Sequence, residues 1–339
     1  MKKVIFTIAL FCITTGLVFA QITLGGDAYA GVQFEKIFDE DEQITATHRT
    51  EGTPVFNIDA TVRREIFGIK LDTSFRATET PVSVKGLYGW VDFWDRAIRF
   101  SAGIISDPVW VVKLDPRFQE FFFDDVTGFR LEYRTPVQGL SVGIAFRTED
   151  LTAEEFGKRM IFGGSYIHSL FNTVAAYDLG RNGRALFGFN YTGINNLTAG
   201  IQLRGSNFAT WDDRMYSGEL IIHQKIAYRI LRPLEVSLIT GQTIYGREDR
   251  DIELSFAPGL SYRIQPNLVS SLTAELSRVN NTNRRYFPDD DMFIFTSVRP
   301  SLEYNLGPAI FYAEYELMLG KYKNQSYNRF GVGVEFNAF

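Results

Sequence analysis

Apolar and polar residues take turns along most of the chain after residue 20. Phe56, Ile58, Ala60 and Val62 are interleaved with Asn57, Asp59, Thr61 and Arg63. Ile69, Leu71 and Phe75 are interleaved with Lys70, Asp72, Ser74 and Arg76. The same period recurs at 140–147, 197–204, 252–263, 268–278 and 309–319. Successive side chains of a strand point to opposite faces, so each segment has one apolar face and one polar or small face. Eighteen such segments can be marked, the first at 22–36 and the last at 326–339. After residue 20 no apolar run approaches the length of a membrane helix, about 18 residues.

The connections between segments add a second signal. Links from an even to the next odd segment are tight, as at 65–67, 95–96, 135–138, 192–195 and 229–233, and several hold Pro, Gly or Asn. The long links, at 37–54, 107–126, 148–157 and 279–291, all run from odd to even. Short turns on one rim and long loops on the other are expected of a transmembrane barrel. A soluble β-sandwich has no reason to sort its loops this way. The fold class expected is therefore all-β, a transmembrane antiparallel β-barrel of about 18 strands, with about 16 as the other count the pattern allows. Pro258 and Pro300 fall inside segments, where a closed barrel offers no edge to excuse a missing donor, so a bulge or a break is expected at each.

The first twenty residues read differently. Lys2 and Lys3 precede an apolar run from Val4 to Phe19, and Val18 and Ala20 are placed as in a cleavage site before Gln21. Residues 1–20 are thus read as a secretory signal peptide and 21–339 as the barrel. Cys12, the only cysteine, follows Phe11 rather than a small residue and is not read as a lipid attachment site. Losing two lysines takes the formal charge from −5 to −7.

Composition then excludes several classes. One cysteine and three histidines cannot build a disulfide framework or a Cys- or His-rich metal centre. The acidic balance argues against nucleic acid as a partner. Phe and Tyr number 30 and 16 and Gly 29, yet mean hydropathy is only −0.08, a balance that alternating strands produce and long buried helices do not. Aromatics such as Phe93, Trp94, Tyr133, Tyr191, Tyr228, Tyr262 and Tyr304 fall near segment ends, as in interfacial girdles; plain core packing is the other reading of such rings. Gly139-Leu140-Ser141-Val142-Gly143 has the form of a nucleophile elbow but sits in an alternating strand with no helix after it. The acidic runs 39–42 and 289–291 are read as solvated loops, with divalent cation binding as the alternative. His48, His168 and His223 are scattered. No cofactor and no enzymatic activity are expected.

The stretch GLYGWVDFWDRAIRFSAGIISDP at 86–108, the long link 107–126, and GFRLEYRTPVQGLSVGIAFR at 128–147 resemble consecutive strands of Gram-negative outer-membrane general porins on either side of their constriction loop. The C-terminal strand ending in Phe339 resembles the signature read by barrel-assembly machinery, although Phe339 is one residue out of step with Phe330, Val332, Val334 and Phe336. The resemblance implies an outer-membrane location with lipid around the barrel, a homotrimer, and a loop 107–126 folded into the lumen. It assigns Asp115, Glu120, Asp124 and Asp125 to an acidic side and Arg63, Lys70, Arg76, Arg99 and Arg130, with Arg147 on the neighbouring strand, to a basic side of a constriction. One alternative is that these are solvated lumen charges with no shared constriction, and another is that the apolar part, Val109–Val112 and Phe121–Phe123, folds over the mouth. A lumen lined by both signs predicts weak selectivity leaning to cations. The expected function is passive diffusion of small polar solutes and ions, with a surface adhesin or structural barrel as the alternative. A hydrophobic-solute transporter is set aside because only Gln21 precedes the first strand and leaves no plug.

Overall fold

The computed structural model describes residues 21–37, 42–46, 55–76, 82–106, 110, 126–148, 160–180, 183–208, 218–246, 252–280, 292–320 and 326–337. The strands are β1 (Gln21–Ile37), β2 (Glu42–Ala46), β3 (Val55–Arg64), β4 (Phe67–Arg76), β5 (Val82–Phe93), β6 (Ile98–Ile105), β7 (Val126–Arg134), β8 (Leu140–Arg147), β9 (Met160–Ile167) and β10 (Phe171–Asp178). They continue as β11 (Arg184–Tyr191), β12 (Leu197–Ser206), β13 (Glu219–Leu231), β14 (Leu234–Tyr245), β15 (Glu253–Gln265), β16 (Leu268–Asn280), β17 (Met292–Leu306), β18 (Ala309–Leu319) and β19 (Tyr327–Asn337). From β3 to β19 each strand pairs antiparallel with the next, and β19 pairs back onto β1 from Asp27↔Asn337 to Ile37↔Tyr327. The sheet closes on itself and has no free edge.

On its other side β1 meets two strands in tandem. Gln21–Tyr29 pairs with β3 and Val32–Lys36 pairs with β2. The two pieces fill one position in the wall, so nineteen strands make an eighteen-position barrel. Sequence patterning reaches the same count but leaves β2 inside the link 37–54.

The tight links, including those between β9 and β10, β15 and β16, and β17 and β18, are turns at one end of the barrel. The β5–β6 turn closes with Ala97 N–H donating to Trp94 O at 2.9 Å, and Trp94, Asp95 and Arg96 all have positive φ. In the β7–β8 turn Gly139 has φ +84°, and a Cβ there would lie 2.0 Å from the Ile167 carbonyl oxygen, so only glycine fits. β13 and β15 run on past the expected turn starts to Leu231 and Gln265, each through a register shift beside an arginine.

The two prolines correct an expectation. Pro258 pairs with Leu238 of β14 in an unbroken ladder, and Pro300 with Leu272 of β16. Rungs are missing only on the opposite sides, at Ala257 and Pro258 towards β16 and at Arg299 and Pro300 towards β18. The register is the same before and after, so there is neither bulge nor break. A strand held on one side tolerates a missing donor on the other, and its register is fixed by the apolar face.

One face of the wall is apolar and exposed, as a lipid-facing surface must be: Leu71, Leu87, Val142, Phe162, Phe187, Ile226, Phe256, Leu272, Phe311 and Phe330 belong to it. Near the turn end, outward tyrosines recur on β7, β9, β11, β13, β15 and β17 as Tyr133, Tyr166, Tyr191, Tyr228, Tyr262 and Tyr304. An amphipathic ring suits the boundary between hydrocarbon and water, and this row forms a girdle.

Inward glycines are paired with inward rings on the next strand. Trp90 lies over Gly68 and Tyr312 over Gly333, where an added Cβ would come within 2.2 Å of each ring or its hydroxyl. Rings lying flat along the inner wall thus account for part of the glycine and aromatic content, alongside the outward phenylalanines and the tyrosine girdle.

Candidate functional site in the barrel lumen

The inward set of side chains defines the site. On β3 to β8 the set that alternates with the exposed apolar residues includes Asp59, Arg63, Lys70, Asp72, Asp92, Arg99, Arg130, Glu132 and Arg147. Arg76 ends β4, its backbone paired with Val55. Asp115, Glu120, Asp124 and Asp125 lie outside the described residues, as do residues 1–20, His48, the run 289–291 and Phe339.

Arg99, Arg130 and Arg147 sit on adjacent strands at the turn end, the middle and the loop end of the wall. They are not a bare basic surface. Arg99 donates to both carboxylate oxygens of Asp92, at 2.7 and 2.9 Å, and lies over the Trp90 ring. Arg147 pairs with Asp178 of β10 at 3.2 Å. Further round, Arg204 of β12 pairs with Glu219 of β13 at 2.9 Å, and Ser206 also donates to Glu219. The expected basic side is thus interleaved with its own acids, because cross-strand neighbours of opposite sign stabilise each other in a partly desolvated wall.

Acidic groups dominate the far wall. Glu235, Glu253, Glu275, Glu303, Glu314 and Glu316 face inward from β14 to β18. Glu253 accepts from the Tyr245 hydroxyl at 2.9 Å and Glu275 from the Ser277 hydroxyl at 2.7 Å. At the closing seam Arg299 donates to Glu316, and Arg329 bridges Glu316 and Glu35 of β1. Four charges on β17, β18, β19 and β1 balance there and tie the last strand to the first.

Between the two charged regions lies an apolar strip of the inner wall. Tyr88, Trp90, Ile105, Ala145, Ile161, Val174, Ala176 and Leu186, from β5, β6 and β8–β11, are buried together with Trp110. Trp110 belongs to the link 107–126. Its indole lies against Gly163 and Gly143, where a Cβ at Gly163 would be 2.1 Å from the ring. Both glycines are halfway along their strands, so this part of the link sits inside the barrel at mid-depth and does not cover the mouth.

Asp178, Arg184, Arg204, Arg299, Arg329 and Trp110 were not singled out from the sequence. Around Asp178 the inward set is Val174 and Ala176, as apolar as the outward set, so a rule that sends apolar residues to lipid cannot fix the phase. Ser141 of the Gly139–Gly143 stretch faces inward in β8, its hydroxyl bonded to that of Ser165 at 2.8 Å. His168 is in the β9–β10 turn and His223 on the inner face of β13, two separate places.

A closed antiparallel barrel with an apolar outside, a charged inside and turns segregated to one rim has the fold of the outer-membrane porins. Among solved structures, the chain superposes on the outer membrane protein OprD of Pseudomonas aeruginosa with a TM-score of 0.61 and 12% identity, covering 94% of this chain and 93% of that one. OccK2 of the same organism gives 0.65 at 10% identity over 93% and 97%, and OccAB3 of Acinetobacter baumannii gives 0.62 at 11% over 94% and 99%. No family model matches the sequence, and no curated protein matches it.

Proposed function

We propose that this chain is an outer-membrane channel for passive diffusion of small polar solutes and ions. The observation that carries the proposal is a closed barrel of eighteen wall positions whose inner face bears charges of both signs. Barrels of that size enclose water, whereas eight-stranded ones are filled by side chains. Arg63, Lys70, Arg76, Arg99, Arg130 and Arg147, with Asp115, Glu120, Asp124 and Asp125, are the proposed pore-lining set. Glu253, Glu275 and Glu314 extend it on the opposite wall. Opposed walls create a transverse field that orders water and polar solutes. Inward carboxylates recur from β14 to β18 and the chain as a whole is net acidic, so selectivity leans weakly to cations.

Purified protein in a planar bilayer is expected to give stepwise conductance and a reversal potential on the cation side in a salt gradient. Glu253→Gln with Glu275→Gln is expected to shift that potential towards zero. A silent bilayer with folded protein refutes the channel, and an unmoved potential refutes the acidic wall.

A further inference from the structure

Among the described residues, the outward face carries a cluster of side-chain amides at mid-depth. Along β13 the outward row runs Leu220, Ile222, Gln224, Ile226, Tyr228, and along β14 it runs Val236, Leu238, Thr240, Gln242, Ile244. Gln224 faces Thr240 directly across the ladder, and the Thr240 hydroxyl donates to Gln224 Oε1 at 3.4 Å. Gln242 is the next outward residue beyond Thr240. Gln224 is exposed, and apolar neighbours lie both above and below it. A primary amide has two N–H donors, and those of Gln224 and Gln242 have no acceptor among the described residues. In hydrocarbon such groups are unfavourable unless another chain supplies partners.

The shape beside this spot is also unusual. A depression of about 440 Å³ lies next to Gln224 and Thr240, its floor formed by Ala199 and Gly200 of β12 and its sides by Phe189, Ile226 and Leu238. Small residues that let backbones approach, next to amides that can bond across, are the combination by which membrane-embedded segments associate. On the adjoining strand Phe256 projects outward and is exposed, a knob of the size such a depression accepts.

We infer that this patch of β12–β15 is an interface with a second copy of the same chain, joined by amide hydrogen bonds between the two Gln224–Thr240–Gln242 clusters. Both copies enter the membrane in one orientation, so the two-fold axis lies along the membrane normal and brings equal depths together. Each cluster then meets its own counterpart, and each amide finds both a donor and an acceptor. A self-complementary patch of this kind is isologous and closes as a dimer. A three-fold ring needs two different patches, and the outward face shows no second amide cluster at mid-depth among the described residues. The inference rests on the membrane-barrel reading.

The test uses the full chain with Cys12→Ser and a single new cysteine. Under oxidation in native membranes, Gln224→Cys is expected to give a dimer band and Leu302→Cys, outward on β17, only monomer. Gln224→Leu with Gln242→Leu makes the outer face more apolar, so the barrel still folds, as its heat-sensitive gel migration will show. Association in mild detergent is expected to weaken about tenfold by light scattering. The proposal is overturned by a monomeric or trimeric wild type, by equal cross-linking at both positions, or by an unaltered dimer in the double leucine variant. Conductance of the same samples reports separately on the channel: a monomer that conducts removes only the interface, and a dimer that is silent removes only the channel.

Discussion

The seat of Trp110 makes the most direct claim about how the long link enters the barrel. Gly163 and Gly143 leave a flat patch on the inner wall, and the indole fills it; Trp110 is only 5% exposed. In Gly163→Ala the new methyl would sit 2.1 Å from Cδ2 and 2.5 Å from Cε2 and Cε3. The obstacle is the fused ring rather than a flexible tip, so the indole must leave its seat. Overpacking of this kind typically costs about 1–3 kcal/mol. That lowers occupancy of the seat by about 5- to 150-fold. Trp110→Ala empties the same seat without touching the wall. Both variants are expected to raise single-channel conductance, and the pair together should do no more than the larger single effect, because they remove one contact. A further readout is the accessibility of the link 107–126 to protease in folded protein, which should rise in both. Wild-type conductance and wild-type protease resistance in Gly163→Ala would refute the seat.

Three other outcomes follow from the same geometry. Asp92→Asn leaves Arg99 without its bidentate partner in a site where the Asp92 side chain has no exposure; loss of one member of a buried pair costs about 3–5 kcal/mol, and the double variant Asp92→Asn with Arg99→Gln should recover most of it in urea unfolding. Leu272→Arg, on the exposed apolar face of β16, is expected to cost about 2–4 kcal/mol, whereas the neighbouring Ser271→Arg should fold normally and alter ion selectivity; equal destabilisation would show that the faces are misassigned. Pro258→Val returns an N–H towards β16 and should stabilise by about 0.5–1.5 kcal/mol in the same assay, with unchanged conductance.

The alternation in the sequence determined the barrel class and marked eighteen segments, with sixteen positions left as the other count, and it separates the apolar set of each strand from the set that holds Arg63, Lys70, Arg99, Arg130 and Arg147. It could do so because a lipid-facing set of Leu, Phe, Ile and Val contrasts with the set beside it, and a slip of one residue would expose every charge to hydrocarbon. Where that contrast fades, the reading fades too. On β9 to β11 the inner face also carries apolar residues, Ile161, Val174, Ala176 and Leu186, packed with Trp110, so the pattern does not mark Asp178 and Arg184. Ion pairing was likewise illegible. Asp92 with Arg99 and Arg147 with Asp178 join residues 7 and 31 positions apart, and Arg329 with Glu35 joins nearly the two ends of the chain. Only the register of neighbouring strands and the closure of β19 on β1 bring such groups within reach. One strand's pattern fixes which side chains share a face, but which of them meet depends on the strand lying beside it.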